Sequence, residues 1–345
     1  MTSALATILL SDTLHAAQMR GASDVHFAPG LPPVLRIDGR LEACGASGVS
    51  PEDVERVAAS LFGDAERERL AEVGDATTTI AEEGTTIRAH AARTMDGLSL
   101  TLRFLAREVP SPRSLELPEV LSDLARAPRG LLMLGGPTGS GKSTTLASLI
   151  AMLNDTSARK IITLEDPVEY RIPPKRSLIV QRQIGRDVRT FAEAIRGALR
   201  SDPDVIVIGE MRDADTISAA IAAAETGHLV LATVHTGDVP QSVDRLIDAF
   251  PSDRAEHARG RIANVLLAVI CQRLVPRATG SGRHLAAEVL VATDAVRHMI
   301  RDGKHHQLPS VMATSRRFGM QTLEAHLSSL VARGAITPAC AEAAR

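Results

Sequence analysis

Eight consecutive positions near the middle of the chain constrain its fold more than any others. Gly136 to Ser143 read GPTGSGKS, a G-x-x-x-x-G-K-S spacing. The apolar run Leu131–Leu134 precedes it, and Leu146, Leu149, Ile150 and Leu153 follow at helical spacing. A buried strand, a glycine-rich turn and a helix are therefore predicted in that order. Such a turn aims backbone N–H groups at phosphate oxygens, and the helix N-terminus adds its dipole. The candidate phosphate-binding set is Gly136, Pro137, Thr138, Gly139, Ser140, Gly141, Lys142, Ser143 and Thr144. Lys142 would reach the terminal phosphates of ATP, and the Ser143 hydroxyl would ligate Mg²⁺.

Further apolar strands are predicted at Lys160–Leu164, Asp204–Ile208 and Leu229–Val234, with helical stretches between most of them. Continuous apolar strands alternating with helices imply an α/β unit whose parallel sheet is covered on both faces. Ligands of such sheets sit beyond the C-terminal strand ends. That rule selects Glu165, Asp166 and Glu169 after one strand, Glu210, Arg212 and Asp213 after another, and His235 after a third. Glu210 is the candidate general base. His228 and His235 are separated by one strand, a span of roughly 20 Å when extended, so only His235 can approach the phosphates. His228 is assigned a structural or subunit-contact role.

The two flanks read differently. Residues 1–107 are expected to form a smaller α+β domain. Its signals are a hairpin around Asp38-Gly39, turns at Glu83-Gly84 and Asp96-Gly97, and the alternating run Leu98, Leu100, Leu102, Phe104. Ser50-Pro51-Glu52-Asp53 marks a helix start. Leu5, Ile8, Leu9, Ala16 and Met19 fit one helical face at the N-terminus. Residues 108–129, punctuated by four prolines, read as a linker with a short helix over Glu119–Ala127. Residues 130–345 form the ATPase domain, with its last third expected to be mainly helical.

A formal net charge of -2, no Trp, one Tyr and six Phe argue against a protein that grips nucleic acid by charge and stacking. Cys44, Cys271 and Cys340 are too scattered for a zinc module or a disulfide framework. No apolar run has the length of a bilayer span, and no basic residue precedes the N-terminal apolar patch as a signal peptide requires.

Three segments following the glycine-rich loop, ITLEDPVEY, SDPDVIVIGEMRD and TGHLVLATVHT, resemble the Asp, Walker B and His boxes of the type II/IV secretion ATPases. Within that superfamily the chain is similar to type IV pilus retraction ATPases. ASDVHFAPGLPPVLRIDG resembles their N-terminal start, AVRHMIRD (295–302) their C-terminal signature, and FGMQTLEAHL the segment beyond it. His298, Met299 and Asp302 depart from the usual Asn, Leu and Glu of that signature.

The resemblance implies a PAS-like N-terminal domain, a RecA-like ATPase domain and a homohexameric ring using ATP and Mg²⁺. It implies a cytoplasmic motor at the pilus base, working on an inner-membrane platform protein and admitting a paralogous pilus ATPase beside it, with no nucleic-acid partner. By position it makes Glu210 the Walker B glutamate, Glu165 an Asp-box residue and His228 and His235 the His-box pair. It brings in Arg88 and Arg103 as arginines that approach the γ-phosphate, where the residues alone suggest ordinary strand-surface charges. In the signature, Arg297 and Arg301 share a helix face and Val296 and Ile300 its neighbour, a helix expected to transmit motion. A pilus-extension or type II secretion assembly ATPase shares the boxes, but those enzymes usually carry a four-cysteine zinc module. A RecA-like nucleic-acid motor is the alternative of another class.

Overall fold

The computed structural model describes residues 2–37, 40–82, 85–104, 108–279 and 282–344. The turn pairs Asp38-Gly39 and Glu83-Gly84 lie outside them. Two compact units result, one of Met1–Glu108 with Pro167–Arg171, the other of Val109–Asp166 with Ile172–Arg345.

The first unit holds α1 (Thr2–Met19), β1 (Asp24–Phe27), β2 (Val34–Ile37), β3 (Arg40–Ala43), α2 (Pro51–Leu61), α3 (Asp64–Val73), β4 (Asp75–Glu82), β5 (Thr85–Thr94) and β6 (Gly97–Phe104). Its strands form one antiparallel sheet in the order β3-β2-β1-β6-β5-β4. Alternation decides its faces: Val25, Phe27, Leu98, Leu100, Leu102, Ile87 and Ala89 are buried in the core with α2. The predicted start of α2 is a capping box, in which Ser50 Oγ accepts from Asp53 N–H at 3.1 Å and the Asp53 carboxylate accepts from Ser50 N–H at 3.1 Å. The hairpin turn falls one residue earlier than expected, at Met95–Asp96, because Thr94 already pairs with Gly97. The face of α1 is also corrected. Leu10, Thr13, Leu14 and Ala17 are buried, whereas Ile8 and Met19 are exposed. The buried face is offset along the helix from the expected one, so Ile8 falls on the outer side, and Met19 lies at the helix end. From the segment Pro167–Arg171, the Val168 carbonyl accepts from Thr79 Oγ1 at 3.1 Å.

The second unit begins with α4 (Glu119–Leu124), β7 (Gly130–Gly135), α5 (Lys142–Thr156), β8 (Lys160–Glu165), β9 (Leu178–Gln183), α6 (Phe191–Leu199), β10 (Val205–Ile208), α7 (Ala214–Glu225), β11 (Leu229–Val234), α8 (Val239–Ile247) and α9 (Ala255–Val265). It continues with β12 (Leu266–Pro276), β13 (Arg283–Val291), α10 (Asp294–Arg301), α11 (Leu308–Thr314), α12 (Leu323–Ala332) and α13 (Pro338–Ala343). The sheet order is β13-β12-β7-β11-β10-β8-β9, parallel except for β13 at one edge. Every residue of β7, β10 and β11 is buried, as strands covered on both faces require. Leu117, Leu121 and Ala125, from the proline-punctuated stretch, are buried as well.

The expectation of a mainly helical C-terminal third is corrected by β12 and β13, a long antiparallel pair. The short apolar stretch from Ile262 to Ile270, interrupted by Asn264, is divided between two elements. Helix α9 ends at Val265, and Leu266 turns to extended backbone. Short, fully buried apolar runs carry no periodicity that separates helix from strand.

Candidate functional site

Four neighbouring strands, in the order β7, β11, β10 and β8, deliver Lys142, His235, Glu210 and Glu165 to the same edge of the parallel sheet. The predicted strand, loop and helix are all present. Gly136 has φ 143°, and a Cβ there would lie 2.5 Å from the Gln272 carbonyl oxygen and from Ser140 Oγ, so only glycine fits. Gln272 of β12 supports the loop from behind, its Nε2 donating to the Ser140 carbonyl at 2.7 Å. Its other amide atom, Oε1, is buried without a partner among the described residues. Sequence reasoning misses Gln272, because its segment falls in the stretch that reads as helical.

Lys142 opens α5. Its ammonium donates to the carbonyls of Gly136 at 2.6 Å and Pro137 at 3.0 Å. Burial lowers its proton affinity, while the charge of Glu210 acts in the opposite sense. Ser143 is exposed in the first turn of α5. Beside the loop lies a cavity of about 250 Å³ lined by Gly141, Thr144, Thr145, Gln272, His284 and neighbouring residues.

Glu210 is placed by a close approach of backbones. Gly209 N–H donates to the Leu164 carbonyl at 2.7 Å, and a Cβ on Gly209 would stand 3.1 Å from that oxygen. The Glu210 side chain, 17% exposed, is shared between two partners. Arg212 donates to Oε2 at 2.7 Å, and His235 Nε2 lies 3.1 Å from Oε1. Burial raises the proton affinity of this carboxyl, but Arg212 and His235 more than offset it and hold the pKa below the ordinary glutamate value. Arg212 is among the residues that the strand-end rule selects, a cation two residues beyond the candidate base.

Glu165 ends β8, with Thr163 Oγ1 donating to its Oε1 at 2.6 Å and Gln181 Nε2 at 3.1 Å. It is thus held by its own strand and by β9. His228 sits at the opposite end of β11, its Nδ1 3.0 Å from the Ala223 carbonyl and 3.1 Å from Thr226 Oγ1. These contacts finish α7. In the first unit Arg88 and Arg103 are direct cross-strand partners on β5 and β6. Arg103 Nε donates to the buried Asp24 carboxylate at 2.7 Å.

The C-terminal signature helix α10 buries Val296 and Ile300, as expected. Its arginines, Arg297 half-buried and Arg301 exposed, both find partners on α9. Arg297 donates to the Ala263 carbonyl and to the Asn264 carbonyl at 3.0 Å, and Arg301 to Asn264 Oδ1 at 3.1 Å. They supply donors to the end of α9, where the chain leaves the helix for β12.

An α/β protein with a candidate phosphate loop and acidic groups at one edge of its sheet is what these elements define. The chain belongs to the family of type II/IV secretion system proteins, whose model matches residues 2–337. It is 37% identical over 329 residues to the type IV pilus retraction ATPase PilT of Pseudomonas aeruginosa, covering 95% of each chain. It is 40% identical over 314 residues to a twitching motility protein of Neisseria gonorrhoeae, covering 91% of this chain and 83% of that one. A crystal structure of the pilus retraction motor PilT with bound ADP superposes with a TM-score of 0.90 at 39% identity, covering 97% of this chain and 96% of the other. No described helix is long and apolar enough to cross a membrane.

Proposed function

We propose that this chain is a motor ATPase that couples ATP hydrolysis to retraction of type IV pili. The observation that carries the reading is the convergence of Lys142, His235 and Glu210 at the ends of three adjacent strands. Its likeness to retraction ATPases along nearly the whole chain supplies the direction of the work. In this reading the second unit is a RecA-like ATPase domain and the first a PAS-like domain.

The loop from Gly136 to Thr144 cradles the phosphates, with the nucleoside toward the cavity beside Thr144 and Thr145. Lys142 exchanges its loop carbonyls for terminal phosphate oxygens and counters charge developing there. Mg²⁺ fits the site, because Ser143 offers a hard oxygen at an exposed first helical turn and would hold the ion there. When bound, it neutralises phosphate charge. Glu210 accepts the proton of the attacking water, His235 orients the carboxylate, and Glu165 keeps the neighbouring strand end in register. Arg88 and Arg103, by the family resemblance, are the arginines that approach the γ-phosphate.

The working form in this reading is a homohexamer in the cytoplasm at the pilus base, bearing on an inner-membrane platform protein. A paralogous pilus ATPase is a further candidate partner. Surface pili counted on cells whose copy carries Glu210→Gln test the direction of work. Retraction predicts accumulated pili, whereas an extension or secretion ATPase predicts their loss or no change.

A further inference from the structure

Glu210 enters the loop after β10 with both carboxylate oxygens engaged, Oε2 by Arg212 and Oε1 by His235. A base must present a lone pair to water, and each contact to a carboxylate oxygen makes that lone pair less available. The backbone on either side of Arg212 is fixed. Met211 N–H donates to the Thr233 carbonyl at 2.9 Å, the Arg212 carbonyl accepts from Arg245, and Asp213 caps α7 through Thr216 N–H at 2.8 Å. What can change partner is the long Arg212 side chain, which is 71% exposed. A second acid is within its reach. Asp166, the exposed residue directly after β8, has its backbone nitrogen 3.8 Å from where a Cβ on Gly209 would stand, beside the loop that carries Arg212, and its charge favours the protonated guanidinium.

We propose that Arg212 is a positioning residue that restrains the Glu210 carboxylate and releases it by moving to Asp166. The inference rests on the reading of Glu210 as the base. Release leaves Glu210 with His235 alone, so one oxygen is open to a water proton. The contact therefore sets how often the base is available rather than whether nucleotide binds. The charged groups around Glu210 are Arg212 on its own loop, His235 from β11 and Lys142 from α5, with Asp166 acting on Arg212 from the end of β8.

The test is ATP turnover by the purified full chain across pH, comparing wild type with Arg212→Ala, Arg212→Lys, Asp166→Asn and Glu210→Gln. Arg212→Ala should raise kcat by roughly two- to fivefold, the scale on which one exposed ion pair biases an equilibrium, with KM unchanged. Its acid limb should move to higher pH, because the carboxylate has lost a partner that favours its charged form. Arg212→Lys should restore wild-type behaviour in part. Asp166→Asn should lower kcat at constant KM, since the restraint has lost its alternative station. A Glu210→Gln variant with wild-type turnover would overturn the base reading itself. Slow Glu210→Gln beside an Arg212→Ala variant whose kcat is unmoved or lower would overturn the restraint and leave the base standing.

Discussion

Glu210 Oε1 and His235 Nε2 lie 3.1 Å apart, across the ends of two neighbouring parallel strands. Each residue is the candidate that the strand-end rule selects on its own strand, and the register of β10 against β11 brings them into contact. Replacing Glu210 by Gln keeps the shape and removes the proton acceptor. Hydrolysis should fall by about 10²–10⁴-fold, the usual contribution of a positioned base, while ADP affinity stays near wild type. Single-turnover hydrolysis with a parallel binding titration separates the two effects.

Lys142 tests the loop rather than the base. Its ammonium bridges two loop carbonyls in this conformation, so Lys142→Ala removes both a brace and the charge meant for phosphate. Turnover should be lost and nucleotide binding weakened. Lys142→Met keeps most of the side-chain bulk. Both variants should be inactive, a comparison that isolates charge from packing.

Much of this was legible in the sequence, for reasons specific to particular elements. The loop from Gly136 to Ser143 could be found because a phosphate cradle requires glycine where φ is positive and backbones crowd. β10 and β11 could be found because strands buried on both faces are uniformly apolar. β12 could not, since Leu266 to Cys271 is apolar without a period and only its partners β7 and β13 make it a strand. With it went Gln272, whose role is a contact with a loop far away in the chain. Arg297 was visible as a charge, but its engagement with α9 needed the packing of two helices. The ties of Glu165 to Gln181 and of Arg103 to Asp24 likewise depend on strand pairing.

Arg297 yields a prediction about stability. It donates to the last carbonyls of α9 while partly buried, and that burial lowers its pKa from the ordinary arginine value. Arg297→Ala should cost about 1–3 kcal/mol, the penalty for orphaning a buried acceptor of a charged donor. A lowered thermal midpoint measured by calorimetry would register it. Arg301→Ala, which loses a side-chain contact with Asn264 only, should cost less.

Glu288 predicts a pH dependence of stability. It is buried on β13, where burial and then the charge of Asp238 raise its pKa from 4.5 to about 7. The folded chain therefore binds this proton more tightly than the unfolded chain does. The associated stabilisation is present below about pH 4.5 and is lost as pH rises through about 7, with a full range on the order of 3 kcal/mol. Denaturation midpoints should fall between pH 5 and 7.5 in the wild type, and the fall should be smaller in Glu288→Gln.

Arg88 and Arg103 stand side by side on the first unit's sheet, with Arg103 anchored by Asp24. If they act on the γ-phosphate, Arg88→Ala and Arg103→Ala should each reduce kcat far more than nucleotide affinity. The assembly in which they act should be a hexamer. Light scattering in the presence of a non-hydrolysable ATP analogue, read at high protein concentration, would expose a monomer or dimer instead.

ATP hydrolysis and the direction of work are tested together by counting surface pili on cells that carry Lys142→Ala in place of the native chain. An ATP-driven retraction motor predicts that pili accumulate and that twitching across a surface stops. Cells with ordinary pilus numbers and ordinary twitching would contradict it.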